Sequence, residues 1–114
     1  MTTRPPKESP ELRDLRERID KVDRRIVELL NERAELTIEA GREKAKLGRR
    51  AIRDARRERE VILRVSIAND GPLPQADLIA LYRRLIAASR ELETRDRQRR
   101  ASDAEDPSAE PPSA

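Results

Sequence analysis

Apolar residues recur along the first half of the chain at steps of four and three residues. This is the 3.5- to 3.6-residue period of a helix with one apolar face, and it predicts a helix from about Glu11 to Leu47, stopped by Gly48. At 1.5 Å per residue this helix is about 50 Å long. Because a small domain cannot cover so long a face, we expect a second copy of the chain to cover it. The apolar positions are Leu15, Ile19, Val22, Ile26, Leu29, Leu36 and Ala40.

Two shorter helical patterns follow. The second helix is predicted from about Ala51 to Ala68. The run Asn69-Asp70-Gly71-Pro72 is typical of a turn. Pro74 suits the first turn of a third helix, which is predicted to reach Arg95 or beyond. Since no segment alternates like a strand, the pattern predicts an all-α fold with three helices per subunit, of which the N-terminal one is the longest.

Proline and small polar residues mark both ends of the chain. Residues 1–10 contain three prolines, and residues 101–114 are rich in Pro, Ser, Ala and Glu. Such segments bury too little apolar surface to fold. We therefore expect flexible tails at residues 1–10 and 101–114, on either side of a helical domain at residues 11–100.

The composition narrows the classes of function. Charged residues make up 43% of the chain and aromatic residues 1%, while Cys and His are absent. These absences exclude disulfides, zinc–thiolate sites and histidine-based catalysis. The 26 basic and 23 acidic residues are well mixed, which is typical of solvated helices rather than of a nucleic-acid-binding face. No segment approaches the roughly 20 apolar residues of a membrane span, and no signal core is evident, so we expect a cytoplasmic protein.

Two cations occupy positions that the first helix reserves for apolar residues. Arg33 falls in the stripe between Leu29 and Leu36, and Lys44 lies further along the same face. Arg and Lys are almost never fully buried without an anionic partner. Two inward cations therefore indicate an anion held inside the fold, although one inward Arg alone more often pairs with a carboxylate of a neighbouring helix.

The other two helices add polar groups to their apolar patterns. Asp54, Arg57 and Glu58 lie within about one turn of each other, and Ser89 interrupts the third stripe with Glu93 one turn further on. Each group alone is typical of a solvated face or a satisfied polar contact. Together they favour convergence on one small anion-binding cavity.

Arg16 does not fit the same cavity. It lies about 25 Å along the first helix from Arg33 and roughly 100° around it, so one rigid helix cannot bring both guanidinium groups to one small ligand. Arg16 is therefore either a surface charge or part of the site of an antiparallel partner chain.

The combined motifs resemble the all-helical (type II) chorismate mutases, over about Leu12 to Gln98. The resemblance implies a stand-alone enzyme without cofactor or metal, whose three-helix subunits form an intertwined homodimer. It would rearrange chorismate to prephenate in the shikimate pathway, toward phenylalanine and tyrosine. The matching runs are Leu15-Arg16-Glu17-Arg18-Ile19-Asp20 with Val22-Asp23, Leu29-Leu30-Asn31-Glu32-Arg33, Gly41-Arg42-Glu43-Lys44, Ile52-Arg53-Asp54 with Arg57-Glu58-Arg59, and, more loosely, Tyr82-Arg83-Arg84-Leu85-Ile86 with Ser89.

The resemblance implies how the two carboxylates of chorismate are bound. Arg16 of the partner subunit and Arg33 would bind the side-chain carboxylate. Arg57, helped by Ser89, would bind the ring carboxylate. The resemblance implies four catalytic residues, Arg33, Arg57, Lys44 and Glu93. The first two would bind the carboxylates of the substrate.

The remaining implied roles concern the ether oxygen and the ring hydroxyl. Lys44 would donate to the ether oxygen, and Glu58, with the backbone near Asp54, would hold the hydroxyl. Bacterial members usually carry Gln where this chain has Glu93, while fungal relatives carry Glu. Because an ionised carboxylate cannot donate a hydrogen bond, our hypothesis is that Glu93 acts in its protonated form.

Three other functions stay open at this point. Isochorismate-pyruvate lyases have the same fold and a similar set of polar residues. A non-enzymatic helical interaction or regulatory protein would instead pair Arg33, Lys44 and Arg57 with its own carboxylates. A basic coiled coil on nucleic acid is the third. Feedback control and activation by another shikimate-pathway enzyme are not determined by the sequence.

Overall fold

Three α-helices make up the fold, which we describe from a computed structural model covering residues 7–50 and 52–105. Helix α1 spans Pro10–Lys46, α2 spans Ala55–Ala68 and α3 spans Gln75–Glu105. The described residues contain no strand. The predicted all-α class, with three helices and the longest one first, is confirmed.

Local signals set both ends of α1. The Ser9 side chain accepts a hydrogen bond from the Leu12 amide at 3.1 Å, which caps the helix. Pro10 suits the first turn because an amide N–H at this position would have no acceptor in the helix, and proline has none. At the other end Gly48 has a φ of 76°, and its amide donates to the Ala45 carbonyl at 3.0 Å. The left-handed conformation needed there is one that Gly adopts without steric cost, so α1 ends as predicted.

Helix α2 begins four residues later than the predicted start at Ala51, a residue that lies outside the described ranges. Asp54 has extended backbone angles, and its side chain accepts a hydrogen bond from the Arg57 amide at 3.0 Å. Asp54 is therefore the N-cap of α2. The expected start was wrong because a capping carboxylate was read as a residue of the first turn.

The turn between α2 and α3 is held by side-chain amides. Asn69 donates to the Leu73 carbonyl at 3.0 Å and to the Gln75 side chain at 2.8 Å, while Gln75 donates to the Ser66 carbonyl at 2.9 Å. The Pro74 carbonyl accepts from the first amides of α3. Pro74 thus precedes α3 instead of lying in its first turn.

Helix α3 runs five residues past the border expected at residue 100. Ala101 and Ala104 are strong helix formers, and the first proline after them is Pro107. At the other end Pro10, assigned to the N-terminal tail, is the first residue of α1. Residues 1–6 and 106–114 lie outside the described ranges, so flexible tails there stay a prediction.

The chain divides into two compact units, one ending at Arg33 and the other beginning at Ala34. In the first unit the apolar stripe of α1 is exposed: Leu15, Ile19, Val22, Ile26 and Leu29 are between 45% and 57% exposed. This stripe has no cover within its own unit.

The second unit has a narrow interior in which α2 packs against α3. Ile86 is its buried apolar residue, at 7% exposure, and the carboxylate residues Glu93 and Asp96 are equally buried at 7% and 6%. Buried carboxylates need cationic or donor partners, so the polar contacts of this unit define its candidate site. Across the described ranges, no helix combines the length and apolarity that crossing a bilayer requires.

Candidate active site

A buried ion pair joins the end of α1 to the middle of α3. Lys44 Nζ donates to Glu93 Oε2 at 2.8 Å, and both side chains are largely buried. Lys44 Nζ also lies 3.4 Å from the carbonyl oxygen of Ile52, in the segment before α2. Lys44 is thus inward, as the sequence predicted, and its charge meets a carboxylate from a distant part of the chain.

A second ion pair lies one turn further along α3. Arg42 Nη2 donates to Asp96 Oδ1 at 2.8 Å and Arg42 Nε to Asp96 Oδ2 at 3.1 Å, a bidentate geometry. The hydrogen bond from Arg42 holds the pKa of Asp96 below its ordinary value, and Asp96 raises the pKa of Arg42. Sequence reasoning missed this pair, although Asp96 follows Glu93 by three residues and so shares its helix face.

The Asp54 carboxylate accepts hydrogen bonds from a backbone amide and from a neighbouring cation. The Arg57 amide donates to it, and Arg49 Nη2 donates to its Oδ2 at 3.1 Å. The amide hydrogen bond first, and the Arg49 hydrogen bond second, lower the pKa of Asp54. The carboxylate is therefore used to fix the start of α2, which positions the next two predicted residues.

Those two residues, Arg57 and Glu58, face different surroundings. The Arg57 guanidinium is 56% exposed and lies 3.8 Å from Glu60. Glu58 is mostly buried, with Arg53 Nε at 3.7 Å and Arg90 Nη1 at 4.0 Å. Its Oε2, the oxygen that faces Arg53, is buried and accepts no hydrogen bond.

A cleft of about 450 Å³ lies between α2 and α3, and Glu58 is on its wall. Both arginine and apolar side chains line it, so it can hold a small anion with an apolar body. The sequence analysis assigned a site role to Glu58 and to none of the other lining residues. The side chains that define it include Arg53, Arg59, Arg83, Arg90, Ile62 and Ile86.

The remaining predicted residues are Ser89, Arg16 and Arg33. Ser89 Oγ donates to the Leu85 carbonyl at 2.9 Å, a common contact one turn back in a helix. In the first unit Arg16 is exposed and pairs with Glu8 at 3.1 Å, and Arg33 is half-buried. The structure thus brings Lys44 together with Glu93, and Asp54 with the start of α2.

Fold and site together define an all-helical protein, without any histidine, in which cations of α1 pair with buried carboxylates of α3. The sequence model of the family described as chorismate mutase type II matches residues 15–94. The chain belongs to this family, as the motif resemblance predicted.

Two known proteins illustrate the relationship. The chain is 39% identical over 87 residues to a bifunctional chorismate mutase/prephenate dehydratase from Aquifex aeolicus (strain VF5), an alignment that covers 73% of this chain and 24% of that protein. The solved structure of chorismate mutase (form II) from Thermus thermophilus superposes with a TM-score of 0.71 at 35% identity, covering 75% of this chain and 96% of that one. This chain therefore spans about a quarter of the bifunctional relative.

Proposed function

We propose that this protein is a chorismate mutase, which converts chorismate to prephenate. Membership of the type II family supports the proposal, and so does similarity to two proteins named as chorismate mutases. The observation that carries it is the match of the type II family model over residues 15–94, because the pairing of Lys44 with Glu93 in the free chain is also what a non-enzymatic protein would show. A largely buried cation placed in advance is nevertheless what a substrate with a developing negative charge requires.

The reaction suits the residues that the chain possesses. In one pericyclic step the ether C–O bond breaks while a C–C bond forms between the enolpyruvyl group and the ring. No proton transfer and no covalent intermediate with the protein are needed. The protein has to hold a compact substrate conformer and stabilise negative charge on the ether oxygen.

Lys44 is the proposed donor to the ether oxygen. With substrate present, its ammonium group would donate to that oxygen as well as to Glu93, since an ammonium has three donors. Glu93 lies beside the same oxygen in this proposal and donates only in its protonated form. That protonation stays a prediction, and the Glu93→Gln variant described below tests it.

The remaining proposed contacts are those with the ring carboxylate, the ring hydroxyl and the side-chain carboxylate of the substrate. Arg57 is exposed in the free chain and would turn toward the ring carboxylate, next to Ser89. Glu58, which lines the cleft, would accept a hydrogen bond from the ring hydroxyl, beside the backbone of Asp54. Arg33 would bind the side-chain carboxylate.

We also propose that the active form is a homodimer in which Arg16 serves the site of the partner subunit. The exposed apolar stripe from Leu15 to Leu29 supports this, because association with a second stripe would remove its apolar surface from water. The pair between Arg16 and Glu8 is exposed, so it is weak and can be exchanged for a substrate carboxylate.

The direct test is to follow the loss of chorismate absorbance with purified protein and to identify prephenate as the product. Isochorismate is offered in parallel, and formation of salicylate and pyruvate from it would support the lyase alternative instead. No turnover of either substrate would refute an enzymatic function.

Mixing two inactive variants tests the shared site. Arg16→Ala and Lys44→Ala chains each lack one essential cation. In a heterodimer, one of the two sites receives an intact Arg16 from one chain and an intact Lys44 from the other. Random exchange of subunits should restore about a quarter of the wild-type activity. No recovery, despite demonstrated exchange, would place Arg16 outside the partner's site.

A further inference from the structure

Gly41 lies in the interior of α1, where glycine is less favourable for helix stability than alanine. Its φ is not positive, unlike that of Gly48, so the backbone conformation does not require a glycine. Gly41 is nevertheless buried. A buried helical glycine of this kind is explained by the close approach of another group.

The approaching group is the side chain of Glu93. A Cβ atom built on Gly41 would lie 3.1 Å from Glu93 Cγ, 3.3 Å from Cδ and 3.5 Å from Oε2. The first two distances are shorter than ordinary van der Waals contacts. Since Glu93 is buried, a methyl group here would have to displace its carboxylate by a few tenths of an ångström.

Displacement of that carboxylate affects Lys44 directly. Lys44 follows Gly41 by three residues and so lies on the same face of α1. An added methyl group would crowd Cγ and Cδ of Glu93, and Cδ carries Oε2, the atom that accepts the Lys44 hydrogen bond at 2.8 Å. The Glu93 side chain therefore passes across Gly41 to reach the ammonium group.

We propose that Gly41 is a positioning residue for the mutase reaction, which lets the Glu93 carboxylate lie against Lys44 at the ether-oxygen subsite. This inference rests on the proposed function. Gly41 does not touch the substrate, and it acts by leaving the space through which Glu93 extends. Any side chain at position 41 would move the two groups that act on the breaking bond.

The first test compares the kinetics of Gly41→Ala with those of Gly71→Ala. A misplacement of 1 Å costs up to 10²-fold in rate, so a shift of a few tenths of an ångström should lower kcat about tenfold. KM should change little, because the charge on the ether oxygen develops only in the transition state. Gly71 has nothing within 4 Å of an added Cβ, so Gly71→Ala should keep the wild-type kcat. A wild-type kcat for Gly41→Ala would overturn the proposal.

The second test measures Tm and does not depend on enzyme activity. In a Glu93→Ala background the obstructing side chain is gone, so adding Gly41→Ala should raise Tm through its better helix propensity. With Glu93 present the same change should lower Tm, or prevent folding in a way that Glu93→Ala relieves. An equal effect of Gly41→Ala in both backgrounds would refute the inferred contact.

The two tests separate failure of this inference from failure of the proposed function. If the wild-type protein turns over no chorismate, the proposed function is wrong, and the Tm comparison still decides whether Gly41 positions Glu93. If the enzyme is active and the Tm effect is the same in both backgrounds, the function stands and the role of Gly41 falls.

Discussion

The two units of this chain differ in that one exposes apolar side chains and the other buries carboxylates. In the unit that ends at Arg33, leucine, isoleucine and valine side chains line one face of α1 and are about half exposed. In the unit that begins at Ala34, the most buried side chains include the carboxylates Glu93 and Asp96. An exposed apolar stripe is typical of a surface that a partner covers, whereas a buried carboxylate is tolerated because a cation meets it.

The difference assigns separate tasks to the two units. Over its described residues, 7–33, the first unit offers apolar surface and no buried charge, which suits association with a second copy. The second unit holds Lys44 and Arg42 against carboxylates from α3, which suits stabilisation of charge in a substrate. Variants that remove a charge from the second unit, or add one to the apolar stripe of the first, test this assignment.

The largest expected effect comes from removing the buried ammonium group. Lys44→Ala should lower kcat on the order of 10²–10³-fold, because one preorganised donor to the developing charge is lost. The matched control is Lys46→Ala, two residues away, where the ammonium group is exposed and pairs with Glu43. Steady-state kinetics should find the first variant nearly inactive and the second one active. Circular dichroism should find both folded, with a lower Tm for Lys44→Ala because the buried Glu93 carboxylate loses its cation. Equal activities would remove Lys44 from the proposed mechanism.

A charge placed in the exposed stripe should prevent association. Ile19→Glu would have to bury a carboxylate in the proposed dimer interface, so the variant should be monomeric in analytical ultracentrifugation and should lose most activity. Val27 is 55% exposed against 57% for Ile19, but it lies off the stripe, so Val27→Glu should remain dimeric. Monomeric wild-type protein with full activity would contradict the proposed homodimer.

A smaller effect is expected from giving position 93 a permanent donor. An ionised carboxylate cannot donate to the ether oxygen, whereas the amide of Gln always can. If this side chain acts as a donor, Glu93→Gln should keep kcat near the wild-type value, and Glu93→Ala, which cannot donate, should lower it. Equal kcat values for the two variants would refute the hypothesis of a protonated Glu93.

The smallest effect concerns stability in the second unit. Asp96→Asn should lower Tm by a few degrees at neutral pH, since Arg42 loses its bidentate partner. The folded-state pKa of Asp96 lies below its ordinary value of about 3.9. Its contribution is therefore fully present above about pH 4 and is lost as pH falls through the lower folded-state pKa.

Thermal unfolding across pH checks that sign. The Tm difference between wild type and Asp96→Asn should be constant near neutrality and should shrink below about pH 4. The exposed residue Asp103 supplies the control, because Asp103→Asn should change Tm little. A difference that grows at acid pH would contradict the assigned ion pair.

Much of the fold could be predicted because its signals are local. The three-and-four spacing predicted α1, and Gly48 predicted its end. The start of α2 was harder to predict, because the sequence is compatible with Asp54 either in the first turn of the helix or as its N-cap. The site was predicted in part: an inward Lys44 follows from the stripe, but its pairing with Glu93, 49 residues away, leaves no periodic signal.

By itself, the sequence determined the helices, their order, the apolar face of α1 and the family, since each depends on short-range spacing or on motif identity. Tertiary structure decided which charges meet: Lys44 with Glu93, Arg42 with Asp96, and Glu58 with the arginines of the cleft. It also gave Gly41 its role. The physical reason is that helical periodicity specifies which face a residue occupies, whereas ion pairing and close contact depend on distances between helices, which only packing fixes.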